Sequence, residues 1–236
     1  MSKSASLVFI FVIALGVFMS PHRSLGQAAA SKLFSLKEQP RLVSEANRSS
    51  IASVREAEIV FTEESNTSLA ERTRLTITLF DGVEYQAVVS EVERRGPDDI
   101  TWRGKIALNP TEGDVIITFR KGVFAGSIFG PTRVYEIVPR GMKHILVELD
   151  QGKYPECGGS IADLTGDATT SHRAENLGRE DSGDRIDVMV VYTTATKNFL
   201  GGDVQAQTHA QQAIDATNTA YLNSRIRQRV RMVHTQ

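Results

Sequence analysis

The sequence predicts an α+β chain in two parts: an antiparallel β-rich domain followed by an incomplete α/β unit of the β-α-β type. Two observations carry this. From Ala57 to Asp150, short runs rich in β-branched and aromatic residues alternate with turn signals. From Ile186 to Gln236 the pattern becomes an apolar strand, a helical period and an alternating strand.

The chain opens with Lys3 ahead of the uncharged run Leu7 to Phe18, then small residues at Gly26, Ala28, Ala29 and Ala30. The run is short for a membrane span and matches the apolar core of a secretory signal. A signal peptide over 1–26 is therefore expected, with cleavage near residues 26–30, secretion to the periplasm or outside the cell, and no stable membrane anchor. Residues 27–56 form an N-terminal segment without a strong period, with a short helix expected around Glu45 to Ala57.

The β-rich domain is placed at 57–151. Its strands are read at Ile59 to Phe61, Leu75 to Phe80, Glu84 to Glu93, Asp98 to Leu108, Asp114 to Phe119, Val123 to Phe129, Thr132 to Val138 and His144 to Leu149. Asp81-Gly82, Gly96-Pro97, Asn109-Pro110, Glu112-Gly113 and Lys121-Gly122 separate them. Leu75, Ile77 and Leu79 share one face, so that strand is half buried. Trp102, the single tryptophan, belongs in the core. His144, at the head of a strand, is expected as a polar edge residue.

Residues 152–185 are rich in Gly, Ser, Thr and Asp and lose apolar periodicity, which predicts an exposed linker. Such segments are preferred nicking sites, so processing is expected between about Leu164 and Arg185.

In the last part, Val188 to Val191 reads as a strand buried on both faces. Gly201-Gly202-Asp203 gives a break and a cap. Ala206, Ala210, Ala213, Ile214, Thr217, Ala220 and Tyr221 then recur at helix spacing, a face expected to lie on the sheet of the unit itself. Ile226, Gln228, Val230 and Met232 alternate with Arg227, Arg229, Arg231 and Val233, a strand with a solvated face. A strand-helix-strand order implies a right-handed crossover with parallel strands. One such unit cannot cover both faces of its sheet, so the domain it opens is expected to extend beyond Gln236.

The run Asp187-Val188-Met189-Val190-Val191-Tyr192-Thr193, the segment Ala213 to Ser224 and the run to Val233-His234-Thr235 resemble the opening of the catalytic domain in secreted bacterial metzincin proteases. These are reprolysin-like zinc endopeptidases, among them the peptidyl-Asp metalloendopeptidases. The resemblance makes residues 186–236 the first, metzincin-like βαβ unit of a truncated catalytic domain. It makes the β-rich part propeptide-like, a partner for the catalytic domain in cis or in trans. Gly126-Ser127-Ile128, Tyr135-Glu136-Ile137 and the run His144 to Asp150 are similar to that propeptide region. For the full-length family it implies a zinc cofactor and protein substrates.

The family's chemistry rests on H-E-x-x-H-x-x-G-x-x-H, in which histidines bind zinc and the glutamate acts as general base. This sequence contains no such motif. Its histidines are His22, His144, His172, His209 and His234, none beside a glutamate or four residues from another histidine. No catalytic residue, metal ligand or cofactor is therefore assigned within this chain, and peptidase activity is not expected of it.

Cys157, the single cysteine, cannot form an internal disulfide; it is a free or buried thiol, pairs with another chain, or binds something. The resemblance offers an inhibitory role, a cysteine switch whose thiolate occupies the open position of a catalytic zinc. The family element is Pro-x-x-Cys-Gly, whereas here one residue separates Pro155 from Cys157.

A net charge of -1 gives no global basic field. Arg225, Arg227, Arg229 and Arg231 lie on an alternating strand without interleaved aromatics, so no nucleic-acid partner is expected. The sequons at Asn47 and Asn66 are assigned no role. Two functions remain: the N-terminal portion of a secreted zinc metalloendopeptidase precursor, with a propeptide that assists folding and inhibits, or a non-enzymatic secreted β-domain binding protein with a vestigial C-terminal unit.

Overall fold

The computed structural model describes residues 30–44, 52–63, 68–107, 112–154 and 185–236. Residues 1–29 with the signal peptide, the sequon residues Asn47 and Asn66, Cys157 and linker residues 155–184 lie outside the described residues. No helix among the described residues is long and apolar enough to cross a membrane.

In chain order the first strands are β1 (Ser31–Lys32), β2 (Phe34–Leu36), β3 (Arg41–Leu42), β4 (Ser53–Phe61), β5 (Arg74–Thr78) and β6 (Glu84–Gly96). Then come β7 (Asp99–Ala107), β8 (Glu112–Arg120), β9 (Val123–Phe129), β10 (Val134–Arg140) and β11 (Lys143–Leu149). They make one sheet in the order β1-β5-β6-β7-β8-β9-β10-β11-β4-β2, with β3 on β4. From β5 to β11 every neighbouring pair is antiparallel. Lys121-Gly122 turns β8 into β9 with both residues at positive φ, the geometry a two-residue hairpin of this twist requires.

The two ends of the sheet are joined by adjacent residues. β1 pairs with β5 in parallel and β2 pairs with β4 antiparallel. Between them Leu33 donates its N–H to the Thr76 carbonyl (3.0 Å) and accepts from the Thr62 N–H (3.2 Å). The sheet is thus a nearly closed barrel, sealed by residues 31–36. Strands this short show no period in sequence, and the sealing segment buries the consecutive residues Leu33 and Phe34 because the chain passes from one sheet end to the other. The helix expected around Glu45 to Ala57 is corrected here: residues 53–57 are part of β4, and 45–51 lie outside the described residues.

Alternation along β7, β8 and β9 sends Trp102, Ile106, Val115, Ile117, Phe124 and Ile128 into the barrel core. Trp102 is fully buried, and its indole N–H donates to the Arg72 carbonyl (2.8 Å). A Cβ on Gly104 would overlap the Trp102 ring, so the neighbouring position on that face must be glycine. His144 is not the polar edge residue expected. Its Nε2 accepts the Phe124 N–H (3.0 Å), and the ring stands edge-on to Phe61 and Phe124. Burial lowers its pKa from the ordinary 6.5 to about 4.

The C-terminal part contains β12 (Arg185–Val190), α1 (Thr194–Leu200), α2 (Asp203–Asn223) and β13 (Arg229–Thr235). β12 and β13 pair in parallel, as the strand-helix-strand pattern implied. The β12 run is not buried on both faces among the described residues: Ile186, Met189 and Val191 are exposed, because β13 is its sole strand neighbour here. Taken together, the described residues form a β-rich α+β structure.

Candidate functional site

The outward face of the barrel wall is also closed to water, by the two helices. On β10 and β11 the outward residues Val138, Ile145, Val147 and Leu149 pack with Leu200 of α1 and Ala206 of α2. Thr193 caps α1, accepting from the Thr196 N–H (3.1 Å). Gly201 ends it at φ +99 and lies so close to the β10–β11 turn that a Cβ would overlap the Gly141 backbone. The Gly141 N–H donates to the Leu200 carbonyl (2.7 Å), the Gln205 amide donates to the Gly141 carbonyl (2.9 Å), and the Arg140 guanidinium sits 4.1 Å over the Phe199 ring.

Along β7, β8 and β9 the outward polar side chains Thr101, Arg103, Thr118 and Ser127 are buried, beside the outward apolar Ile116 and Ala125, where α2 packs on β8 and β9. Thr101 and Thr118 are directly opposite each other across the β7–β8 ladder. Both hydroxyls donate to Oδ2 of Asp215, at 2.5 and 2.7 Å. Oδ1 accepts from Gln211 one turn earlier (3.0 Å), from Arg95 (3.3 Å) and from Arg103 (3.4 Å). Arg95 is held by Asp99 (2.9 Å), while Arg103 is held by Glu91 (3.3 Å) and Glu93 (3.0 Å). Asp215 is 1% exposed. Burial pushes its carboxyl pKa up, while the Arg95 charge, the two threonine hydroxyls and the Arg103 charge pull it down. Five donors saturate the carboxylate, which suits it to holding two surfaces together and leaves it no role as a base.

The seam continues along the same helix. Gln212 donates to the Ser127 hydroxyl (2.6 Å), and Asn223 reaches Asp114 (3.0 Å). Asn218 donates to the Val230 carbonyl (2.8 Å) and accepts its N–H (2.7 Å), tying α2 to β13. Beside Asp215, between barrel and β13, lies a cavity of about 440 Å³ lined by Glu91, Arg103, Arg185, Asp215, Arg229 and Val230 among others.

The helix face that docks differs from the one expected. Thr208, Gln211, Gln212, Asp215 and Thr219 are buried, whereas of the expected face Ala206 is buried, Ala210, Ile214, Thr217 and Tyr221 are half-buried and Ala213 and Ala220 are exposed. The two sets lie about half a turn apart. Beyond Ala206, which packs on β10 and β11, the polar stripe is what meets the wall, which presents hydroxyls and guanidiniums there. That stripe, at spacings of three and four, was the available signal; its meaning depended on the outward threonines of two other strands.

Cys157 lies outside the described residues, as do His22 and His172. The structure does not bring His144, His209 and His234 together, and among the described residues no three His, Cys, Asp or Glu side chains converge to hold a metal. The His144 Nε2 already accepts a backbone N–H, so this histidine as placed offers no free ring nitrogen there for a metal. Arg231 makes a two-point pair with Asp187 (2.8 Å each), and Arg229 donates to the carbonyls of Ile226 (2.6 Å) and Gln228 (2.7 Å).

Comparison with known proteins gives two related matches. The chain is 29% identical over 168 residues to a peptidyl-Asp metalloendopeptidase of Stenotrophomonas maltophilia strain K279a, and 27% identical over 162 residues to that of strain R551-3. The chain is a distant relative of a metalloendopeptidase. Each match takes in 61% of this chain and 38% of the relative, so the chain spans well under half the length of these curated metalloendopeptidases. No family model and no solved structure matches it.

Proposed function

We propose that this chain is the N-terminal portion of a secreted zinc metalloendopeptidase precursor. Its barrel acts as a propeptide that assists folding of the protease and inhibits it. The observation that carries the reading is the seam: in a distant relative of a metalloendopeptidase, the barrel wall buries a charged helix of the following α/β unit in a socket of matched donors. Such a surface suits a module that holds a partner in a defined pose.

In this reading the signal directs export, and the segment between Leu164 and Arg185 is where processing separates barrel from protease. Cys157 would be the thiol that occupies the zinc of the full-length protein. The specificity of that protein would follow its relatives, cleavage of peptidyl-Asp bonds. The test is to mix segment 31–185 with the active peptidyl-Asp metalloendopeptidase of S. maltophilia and titrate cleavage of an Asp-containing peptide. Dose-dependent inhibition supports the proposal, and weaker inhibition by Cys157→Ala supports the switch. Equal inhibition by both removes the switch alone. Absence of inhibition, together with no gain in refolding yield of the enzyme, would favour the non-enzymatic binding protein instead.

A further inference from the structure

We propose that the outer wall of the barrel at β7, β8 and β9 is a docking surface selective for helix 203–223, with Asp215 as the residue it selects. The C-terminal unit then stays attached after the linker is cut, and it parts only when the Asp215 cluster is broken. This deepens the proposed function by naming the surface and the residue through which the barrel holds its partner, and it rests on that reading for its purpose.

The chemistry of the seam is the argument. An apolar wall would accept many amphipathic helices, because apolar contact is not directional. Here Thr101, Arg103 and Thr118 point outward and are covered. A helix lacking an acceptor at position 215 would leave two hydroxyl protons and part of two guanidiniums buried without acceptors, although the Thr101 oxygen would still accept from Arg95. The wall therefore rejects wrong helices as much as it attracts the right one. Both threonines aim at the same oxygen from adjacent strands, which fixes where the acceptor must sit.

The placement of the socket adds to this. Arg95 and Arg103 are fixed by acidic groups of the barrel itself, Asp99, Glu93 and Glu91, so the donors are arranged before the helix arrives. At the other end of the seam Leu200 packs on Val138 and Ile145, and its carbonyl accepts the Gly141 N–H. Attachment thus has an apolar and backbone-bonded part at α1 and a charge-selective part at Asp215.

The experiment uses the whole chain with a sequence-specific protease site placed between residues 164 and 180. The folded protein is cut and passed over a gel-filtration column. The two pieces are expected to co-elute for the wild type. For Asp215→Ala they separate at least about 30-fold faster, the size of effect seen when one partner of a buried charged hydrogen-bonded pair is truncated. Asp215→Asn, which keeps an oxygen for the threonines but loses the charge, falls between. Thr118→Val moves the same way from the barrel side and decides the matter should Asp215→Ala fail to fold.

Emission from Trp102, the lone tryptophan and a core residue of the barrel, reports that the barrel is intact in every variant. Immediate separation of the wild-type pieces overturns the proposal. So does a complex of Asp215→Ala, or of Thr118→Val with Asp215→Asn, as long-lived as the wild type. The readout involves neither zinc nor cleavage of a substrate, so loss of inhibition and loss of attachment are told apart.

Discussion

Thr101 and Trp102 are neighbours on β7, as Thr118 and Ile117 are on β8, yet each pair is divided between two environments. Trp102 and Ile117 face an apolar interior that the barrel completes alone. Thr101 and Thr118 face outward, and their hydroxyls find their carboxylate only when α2 lies on the wall. The difference separates stability from recognition. The inner face gains free energy by excluding water wherever apolar area is covered, whereas the outer face is satisfied by one arrangement of donors and acceptors.

The most severe break in this contrast comes from the inside. Trp102→Ala leaves a large cavity and removes the indole donor to the Arg72 carbonyl, and it is expected to cost about 3–5 kcal/mol. Urea unfolding should show barrel and C-terminal unit lost together. A mutation at Asp215 should instead leave the barrel folded, and this is where the two faces are told apart.

Acid offers a second, slightly smaller break. The folded-state pKa of His144 is about 4, against 6.5 for the free side chain. Between those values the unfolded chain binds a proton that the folded chain refuses. Stability contributed by the neutral ring is therefore full above about pH 6.5 and lost as pH falls toward 4, by up to about 3 kcal/mol. His209, also shifted downward by burial, acts in the same direction. Urea midpoints measured from pH 7 to pH 4 should fall steadily, and His144→Gln should flatten that slope.

On the outer face, Gly201→Ala introduces a Cβ at positive φ against the Gly141 backbone. A loss of about 1–2 kcal/mol is expected from the backbone conformation alone, read as increased hydrogen exchange in α1 and at the Gly141 turn while the amides of β5 to β9 are unchanged. The smallest effect belongs to Asp187→Ala. Its pair with Arg231 is exposed to solvent, so no measurable change in thermal midpoint is expected despite the short distances.

Much of the barrel was legible because its strands are runs of β-branched and aromatic residues parted by turn residues. Alternate burial marks the run Arg74–Thr78, with Leu75 and Ile77 fully buried, whereas β9 to β11 bury successive residues on both faces. β1 to β3 were not legible, since two or three residues cannot display a period and their pairing is set by strands far along the chain. The parallel pairing of β12 with β13, in which Val188 is opposite Met232, was read correctly. The docking face of α2 was misread because hydrophobic period was the criterion, and this helix buries Gln211, Gln212 and Asp215. A buried carboxylate is intelligible only with its partners, and Arg95, Thr101 and Thr118 are separated from it by 97–120 positions. His144 escaped for a related reason: a histidine at a strand end looks solvated until the aromatic rings of β4 and β9 are placed beside it.

The sealing of the barrel by residues 31–36 limits how far the N-terminus can be trimmed. β1 covers the outer edge of β5, and β2 covers that of β4. Removal up to residue 30 leaves both edges paired. Trimming through Leu36 would bare the outer edge of β5 and the Ile59–Phe61 end of β4, open edges of the kind along which separate chains add to one another and aggregate.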